Sequence, residues 1–293
     1  MSFAAFYFEN EIGERWDLNV LSDVTFTHAE GLGFALNPKR VGIGEGFFKL
    51  ISREEEPEAN IVGDLLFKPA AYPRYRALVD WLSASTEYIF VYCPYGSKEF
   101  YRRVSLNFIE KSVRGSWGQL SCAVSMACLT PWYLPTPLAL NFEGDEDRAM
   151  RYEFAYDDKL VYGESGGGVY SVEIPARGHV PAALRVRYTG AAADLEISLT
   201  GVESGTEYGK CAISGSIGAG ETLELFTAKR SGYIKSIAAD GTETDLLDAG
   251  RVDISTEPFF RAPVHEASIL KLTGAGTLTG KVSAQAYFYY RSV

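Results

Sequence analysis

Along Leu120 to Cys128 the apolar residues Leu120, Cys122, Val124, Met126 and Cys128 alternate with the small residues Ser121, Ala123, Ser125 and Ala127. A period of two is that of a strand with one face in an apolar core and a second face that takes close packing. The same alternation recurs near Phe3 to Phe8, Val24 to His28, Ile61 to Phe67, Tyr88 to Tyr92 and Val104 to Ile109, so the first half reads as mostly β. One segment has another period. Between Pro73 and Ser83, Tyr75, Leu78, Val79 and Leu82 fall at i, i+3, i+4 and i+7, and Pro73 suits a first-turn position, which predicts a helix there. Pro131 ends the Leu120 ladder, and Trp132 with Tyr133 forms an amphipathic corner braced by Pro131 and Pro135. These two aromatics are expected to mark a stiff domain junction and to pack back onto the N-terminal core.

Beyond Pro135 and Pro137 the pattern changes. Of 29 glycines, 19 lie in 136–293, whereas all four tryptophans precede 136, which predicts two domains, 1–135 and 136–293. Short alternating runs follow at Leu184 to Tyr188, Leu195 to Leu199, Cys211 to Ile217, Thr222 to Phe226, Ile269 to Leu272 and Val282 to Tyr290. Glycine and Asp-Gly turns such as Ala239 to Thr242 separate them, as in an all-β sandwich.

The formal net charge is −10, with −3 on 1–135 and −7 on 136–293. Neither half has the clustered basic face that nucleic acid requires, so no nucleic-acid partner is expected. Four cysteines, at 93, 122, 128 and 211, match no metal spacing, and Cys122 and Cys128 are too far apart on one strand to bridge. They read as buried thiols of a protein made in a reducing cytoplasm. The N-terminal run MSFAAFYFENE has no basic n-region, and no long apolar run suggests a membrane span, so neither a secretory signal nor a membrane partner is expected.

Chemistry is hard to find. Gly163 to Gly167 matches G-x-S-x-G around Ser165, but strand formers follow where a nucleophile elbow needs a helix, and a plain glycine-rich loop is expected. Gly42 to Gly46 and Gly274 to Gly280 fail as dinucleotide fingerprints for the same reason. His28, His179 and His265 sit on separate elements with no partner at ligand spacing. Glu143, Asp145 and Asp147 alternate but lack the glycine and closing glutamate of a calcium loop. No catalytic residue, metal ligand or cofactor is expected. What remains are surfaces. The acidic run Glu54, Glu55, Glu56, Pro57 and Glu58 reads as a solvated loop, with a projecting contact arm as the alternative. Tyr287, Phe288, Tyr289 and Tyr290 put aromatics on both faces of the last strand, as a central strand between layers or a partner contact would require.

Phe6-Tyr-Phe8, Gly31-Leu-Gly-Phe34, the helix Tyr72 to Ser83, the strand Tyr101 to Ile109, Cys128-Leu-Thr-Pro-Trp-Tyr133 and Tyr289-Tyr-Arg-Ser-Val293 together resemble, in that order, the distal tail proteins of long-tailed phages and prophages. The resemblance spans almost the whole chain. It implies a hexameric ring built by the N-terminal domains, with galectin-like C-terminal sandwiches outside. It further implies a tail-tip protein that joins the tail tube to the tail hub and to receptor-binding proteins, with no catalysis. Candidate contact residues are Trp132, Tyr133, Tyr287, Tyr289, Tyr290 and Glu54 to Glu56. The alternative is a carbohydrate-binding module that attaches the tail to the host cell wall, although the second half lacks a recognisable galectin sugar motif.

Overall fold

Strand Leu120–Cys128 has the expected burial: Leu120, Cys122, Val124 and Met126 are inside and Ser121 is exposed. The structure, a computed structural model, describes residues 4–10, 12–44, 47–57, 59–94, 98–111, 118–143, 169–229, 231–275, 278 and 280–292. It divides into two units, Met1–Leu134 with Tyr289–Val293, and Pro135–Phe288. The last five residues thus belong with the first unit rather than the second. Their rings account for it, since Tyr289 meets Tyr133 and Tyr290 meets Phe100 at centroid distances of 6.2 and 5.7 Å.

Unit 1 holds β1 (Ala5–Glu9), β2 (Arg15–Asp17), β3 (Val24–Glu30), β4 (Phe34–Gly44), β5 (Phe47–Pro57), β6 (Asn60–Phe67), α1 (Ala71–Leu82), β7 (Tyr88–Cys93), β8 (Phe100–Lys111), β9 (Leu120–Cys128) and the start of β10 (Trp132–Leu138). Its pairings are antiparallel: β4 with β5 as a separate ribbon, β8 with β10, and a continuous series of β3 with β6, β6 with β9, β9 with β8, β8 with β7, β7 with β1 and β1 with β2. Leu18 then bonds backward to Phe6 and forward to Phe26, so β2 links β1 to β3 and the sheet curls closed. Closure removes exposed edges and surrounds a core of Phe8, Phe26, Phe67, Phe90, Met126 and Trp132. Helix α1 adds Ala71, Leu78 and Leu82 to that core with Tyr75 packed against it, so of the stripe read from its period Tyr75, Leu78 and Leu82 face inward and Val79 is outside the cluster.

One expectation is corrected here. Glu54, Glu55 and Glu56 lie in strand β5, not in a loop. Antiparallel pairing with β4 sets Asn37, Leu36 and Ala35 opposite them in register. The Leu120 strand ends at Cys128, before Pro131, as expected, and a new strand, β10, begins directly after it at Trp132 and carries Pro135 and Pro137. Two residues apart, these prolines withhold their missing donors from one side of the strand only.

Unit 2 contains the end of β10, then β11 (Asn141–Glu143), β12 (Val169–Ile174), β13 (Val180–Thr189), β14 (Ala192–Gly201), β15 (Glu207–Ile217), β16 (Thr222–Phe226), β17 (Tyr233–Ile237), β18 (Glu243–Asp245), β19 (Ser268–Thr273) and β20 (Lys281–Tyr290), whose last two residues belong to unit 1. One sheet runs β11-β12-β19-β14-β15 and the other β18-β17-β16-β13-β20. Leu195, Ile197 and Leu199 of the first and Leu184, Val186 and Tyr188 of the second are buried at alternate positions, as in the expected sandwich. The Asp240-Gly241 turn joins β17 to β18, with Gly241 at φ 86°.

The most unusual core member is a charge. Arg102 on β8 is 1% exposed; its Nε donates to the Thr130 carbonyl at 2.8 Å and its NH1 to the Gly31 carbonyl at 3.3 Å. Its guanidinium lies 5.5 Å from the Trp132 ring centroid. Gly31 turns there at φ 85°, and a Cβ would strike the Asn60 carbonyl, so glycine is required. Arg102→Met keeps the volume but leaves both carbonyls without their donor. It is expected to lower unfolding free energy by about 3 kcal/mol, read by urea denaturation.

Candidate functional site

Because β8 alternates, burying Arg102 turns Tyr101 and Arg103 to the other face. Register then builds a row: Asp17 stands opposite Tyr7, Tyr7 opposite Val91, Val91 opposite Tyr101, and Tyr101 opposite Tyr133. Opposed residues share a face, so Tyr7, Tyr101 and Tyr133 form a band across the strands. Val91 lies between Tyr7 and Tyr101 and is fully buried, yet it is not part of the core cluster. Arg15 accounts for that, since its guanidinium lies 5.5 Å from the Tyr7 centroid and 5.9 Å from that of Tyr101. Tyr101 and Tyr133 stack at 5.8 Å, and Tyr289 meets Tyr133 edge-on.

Ion pairs fix the band. Arg15 grips Glu99 with both terminal nitrogens, at 3.1 and 2.9 Å, and donates Nε to Glu9 at 2.8 Å. The Tyr101 hydroxyl donates to Glu99 at 2.6 Å. The Glu99 bond raises Arg15 above the ordinary arginine range, and the Arg15 bond holds Glu99 below its ordinary value. Burial, then Glu99, pushes the Tyr101 phenol up. The guanidinium is therefore charged and the Tyr101 phenol neutral. Nothing here is a base beside a nucleophile. A half-exposed surface of tyrosine and arginine, held rigid, is instead the composition of a protein-protein contact.

Of the residues singled out in the sequence, the structure brings Tyr133 and Tyr289 into this band. Tyr290 is half-buried against Phe100. Trp132 is fully buried beside Phe90 and Tyr92, so it packs inward and offers no contact surface. Its large apolar ring fills the core of unit 1. Tyr287 lies in unit 2, its ring 5.4 Å from that of Phe226. Ser165, Asp145 and Asp147 fall outside the described residues. Arg15, Glu99 and Tyr101 escape sequence reasoning because Arg15 and Glu99 are 84 positions apart and meet only through register. The only local sign was the alternation running into Tyr101.

One cluster in unit 2 has the residue types of a hydrolase. Ser204 donates Oγ to Glu266 at 2.8 Å, Tyr208 donates its hydroxyl to the same carboxylate, and His265 Nε2 meets the Tyr208 hydroxyl at 3.2 Å. The serine is bonded to the acid and not to the histidine, so no base is placed to activate it. Its role is structural: Glu266 ties down the turn that follows β14 through the Ser204 amide and hydroxyl. Among the described residues no three His, Cys, Asp or Glu side chains are grouped to hold a metal, and no helix is long and apolar enough to cross a membrane. None of the four cysteines forms a disulfide; Cys122 and Cys211 are buried as expected but Cys93 and Cys128 are only half-buried, and burial pushes Cys211 up to about 12.

The bonds from Tyr208 and Ser204 lower Glu266 from 4.5 to about 2. A carboxyl depressed in the folded state adds stability that is complete above its unfolded value and lost as pH falls toward the folded one. Wild-type protein is therefore expected to lose stability between pH 4.5 and 2, more steeply than Glu266→Gln, in thermal melts across that range.

Residues 5–129 match the family model described as the distal tail protein N-terminal domain. No curated protein matches the chain in sequence. Among solved structures, a chain of the phage P2 baseplate in its activated conformation with calcium aligns at TM-score 0.67 and 11% identity, over 99% of both chains. The strontium form of that baseplate aligns at 0.67 and 12%, again over 99% of both. The distal tail protein of phage SPP1, described as a hub of the adsorption apparatus in phages that infect Gram-positive bacteria, aligns at 0.55 and 10%, over 97% of this chain and 99% of its own. At such identities the likeness is one of fold.

Proposed function

Since the chain belongs, through residues 5–129, to the distal tail proteins, we propose that its N-terminal unit closes a six-membered ring between the tail tube and the tail hub. Proteins of this family are structural parts of the phage tail and not enzymes. The ring contact is assigned to the Tyr7, Arg15, Tyr101, Tyr133 and Tyr289 band. That band carries the reading, because it is rigid, rich in arginine and tyrosine, and lies chiefly on strands within the matched segment. A ring needs a second, different surface on each subunit to meet the first.

The β4–β5 ribbon supplies that second surface. Its strands are eleven residues each, roughly 35 Å if fully extended, and among the described residues they pair only with each other. Such a ribbon can reach a neighbour, and Glu54, Glu55 and Glu56 on β5 would bring acidic charge to it. Unit 2 stays outside the ring, where receptor-binding proteins attach. Synthesis in the host cytoplasm accords with four cysteines that form no disulfide.

Native mass spectrometry of the full chain, alone or with its tube and hub partners, is expected to show six copies. Arg15→Ala combined with Tyr101→Ala should weaken assembly at least about tenfold while shifting stability by only about 1 kcal/mol. A two-fold dimer held by unit 2, or a ring indifferent to both substitutions, would refute the assignment.

A further inference from the structure

We propose that the face of the β18-β17-β16-β13-β20 sheet turned away from the sandwich core carries a binding site for a phosphate-substituted saccharide, in the cleft over β13, β20 and the end of β10. A charge in an uneconomical place marks it. Glu224 on β16 alternates with buried Leu223 and Leu225 and so faces away from the sandwich core, yet its side chain is only 2% exposed. Three groups cover it. Arg185 donates Nε at 2.6 Å, the Tyr233 hydroxyl donates at 2.7 Å, and Arg187 Nε stands 3.5 Å away. A buried ion cluster adds little net stability compared with apolar packing. What this one does is fix two guanidiniums side by side, with Arg185 38% and Arg187 48% exposed. Burial alone would raise the Glu224 carboxyl, but the Tyr233 and Arg185 bonds hold it below its ordinary value, so the pair of arginines keeps its anchor at neutral pH.

The two arginines open onto a cleft of about 280 Å³, also lined by Pro137, Ser283, Ala284 and Gln285. No acid lines it, and the one beneath cancels one of two positive charges. Donors dominate. Gln285 receives the Tyr287 hydroxyl on its amide oxygen at 2.9 Å, which leaves its amide nitrogen to donate, and Ser283 is exposed at the rim. The Arg187 guanidinium and the outward edge of Arg185, whose Nε and NH2 are held by Glu224, suit phosphate oxygens, the amide and hydroxyl suit ring hydroxyls, and the Pro137 ring offers an apolar wall to sugar C–H groups. The volume is near the lower end of small-ligand pockets, about 300 Å³. A protein partner fits less well, because the large exposed apolar residues of unit 2 among those described, Val202 and Ile254, do not line the cleft and cannot anchor an interface there.

The site lies within unit 2, and it stands or falls separately from the ring of unit 1. Calorimetric titration of the full chain with glucose 6-phosphate, glucose, inorganic phosphate and a polyglutamate peptide tests it. Glucose 6-phosphate is expected to bind at least about tenfold more tightly than the other three. Arg187→Ala should weaken that binding at least about tenfold, Arg187→Lys should weaken it several-fold by losing the fork, and Lys271→Ala on the other sheet should leave it unchanged. Unaltered melting of each variant would establish that it is folded. Absence of binding, equal binding of inorganic phosphate, tighter binding of the acidic peptide, or indifference to Arg187→Ala would each overturn the proposal.

Discussion

A guanidinium buried in the core of unit 1 is the constraint on which that unit depends. Arg102 is kept there by two backbone carbonyls and an aromatic face, and the desolvation of a charge makes every one of those contacts necessary. One carbonyl belongs to the Gly31 turn after β3 and the other to the Thr130 corner before β10. Arg103 reinforces the corner, donating its amide to Thr130 Oγ1 at 3.1 Å and accepting the Leu129 amide at 2.8 Å. Two distant loops are thereby tied to β8, and Trp132 is delivered into the core.

The outer band follows from the inner charge. A strand cannot place Arg102 inward without placing Tyr101 outward, and the corner that Arg102 anchors sets Tyr133 opposite Tyr101. Arg15 then closes over Val91, between two tyrosines, and Glu99 locks it. The same device recurs in unit 2 with the sign reversed, where buried Glu224 organises two exposed arginines. In both units a buried ion sets the geometry of a surface. Stability is only part of its effect.

Much of this fold was legible from local pattern. Strand β9, helix α1 and the Asp240-Gly241 turn are fixed by period and turn chemistry within a few residues, so they read directly from the chain. Strands β4 and β5 were not legible, since Pro38, Gly42 and three consecutive glutamates argue against strand locally and the pairing that makes them strands is between the two segments and not within either. The surfaces were legible in part. Tyr133 and Tyr289 were marked by aromatic clustering; Trp132 packs onto the N-terminal core as expected of the corner, and only its reading as a contact residue falls, because a tryptophan beside a proline looks the same in sequence whether it faces in or out. Arg15 with Glu99, and Glu224 with Arg185, are partners 84 and 39 positions apart, and such pairs exist only once the sheet has chosen its neighbours.

Hydrogen exchange on the full chain, compared between dilute subunits and the assembled state, tests most directly whether unit 1 is the assembling part. Amides of residues 5–17, 99–103 and 132–134 are predicted to slow on assembly, with residues 169–288 unchanged. Slowing confined to 169–288, with the β1, β2 and β8 amides exchanging at one rate in both states, would contradict it.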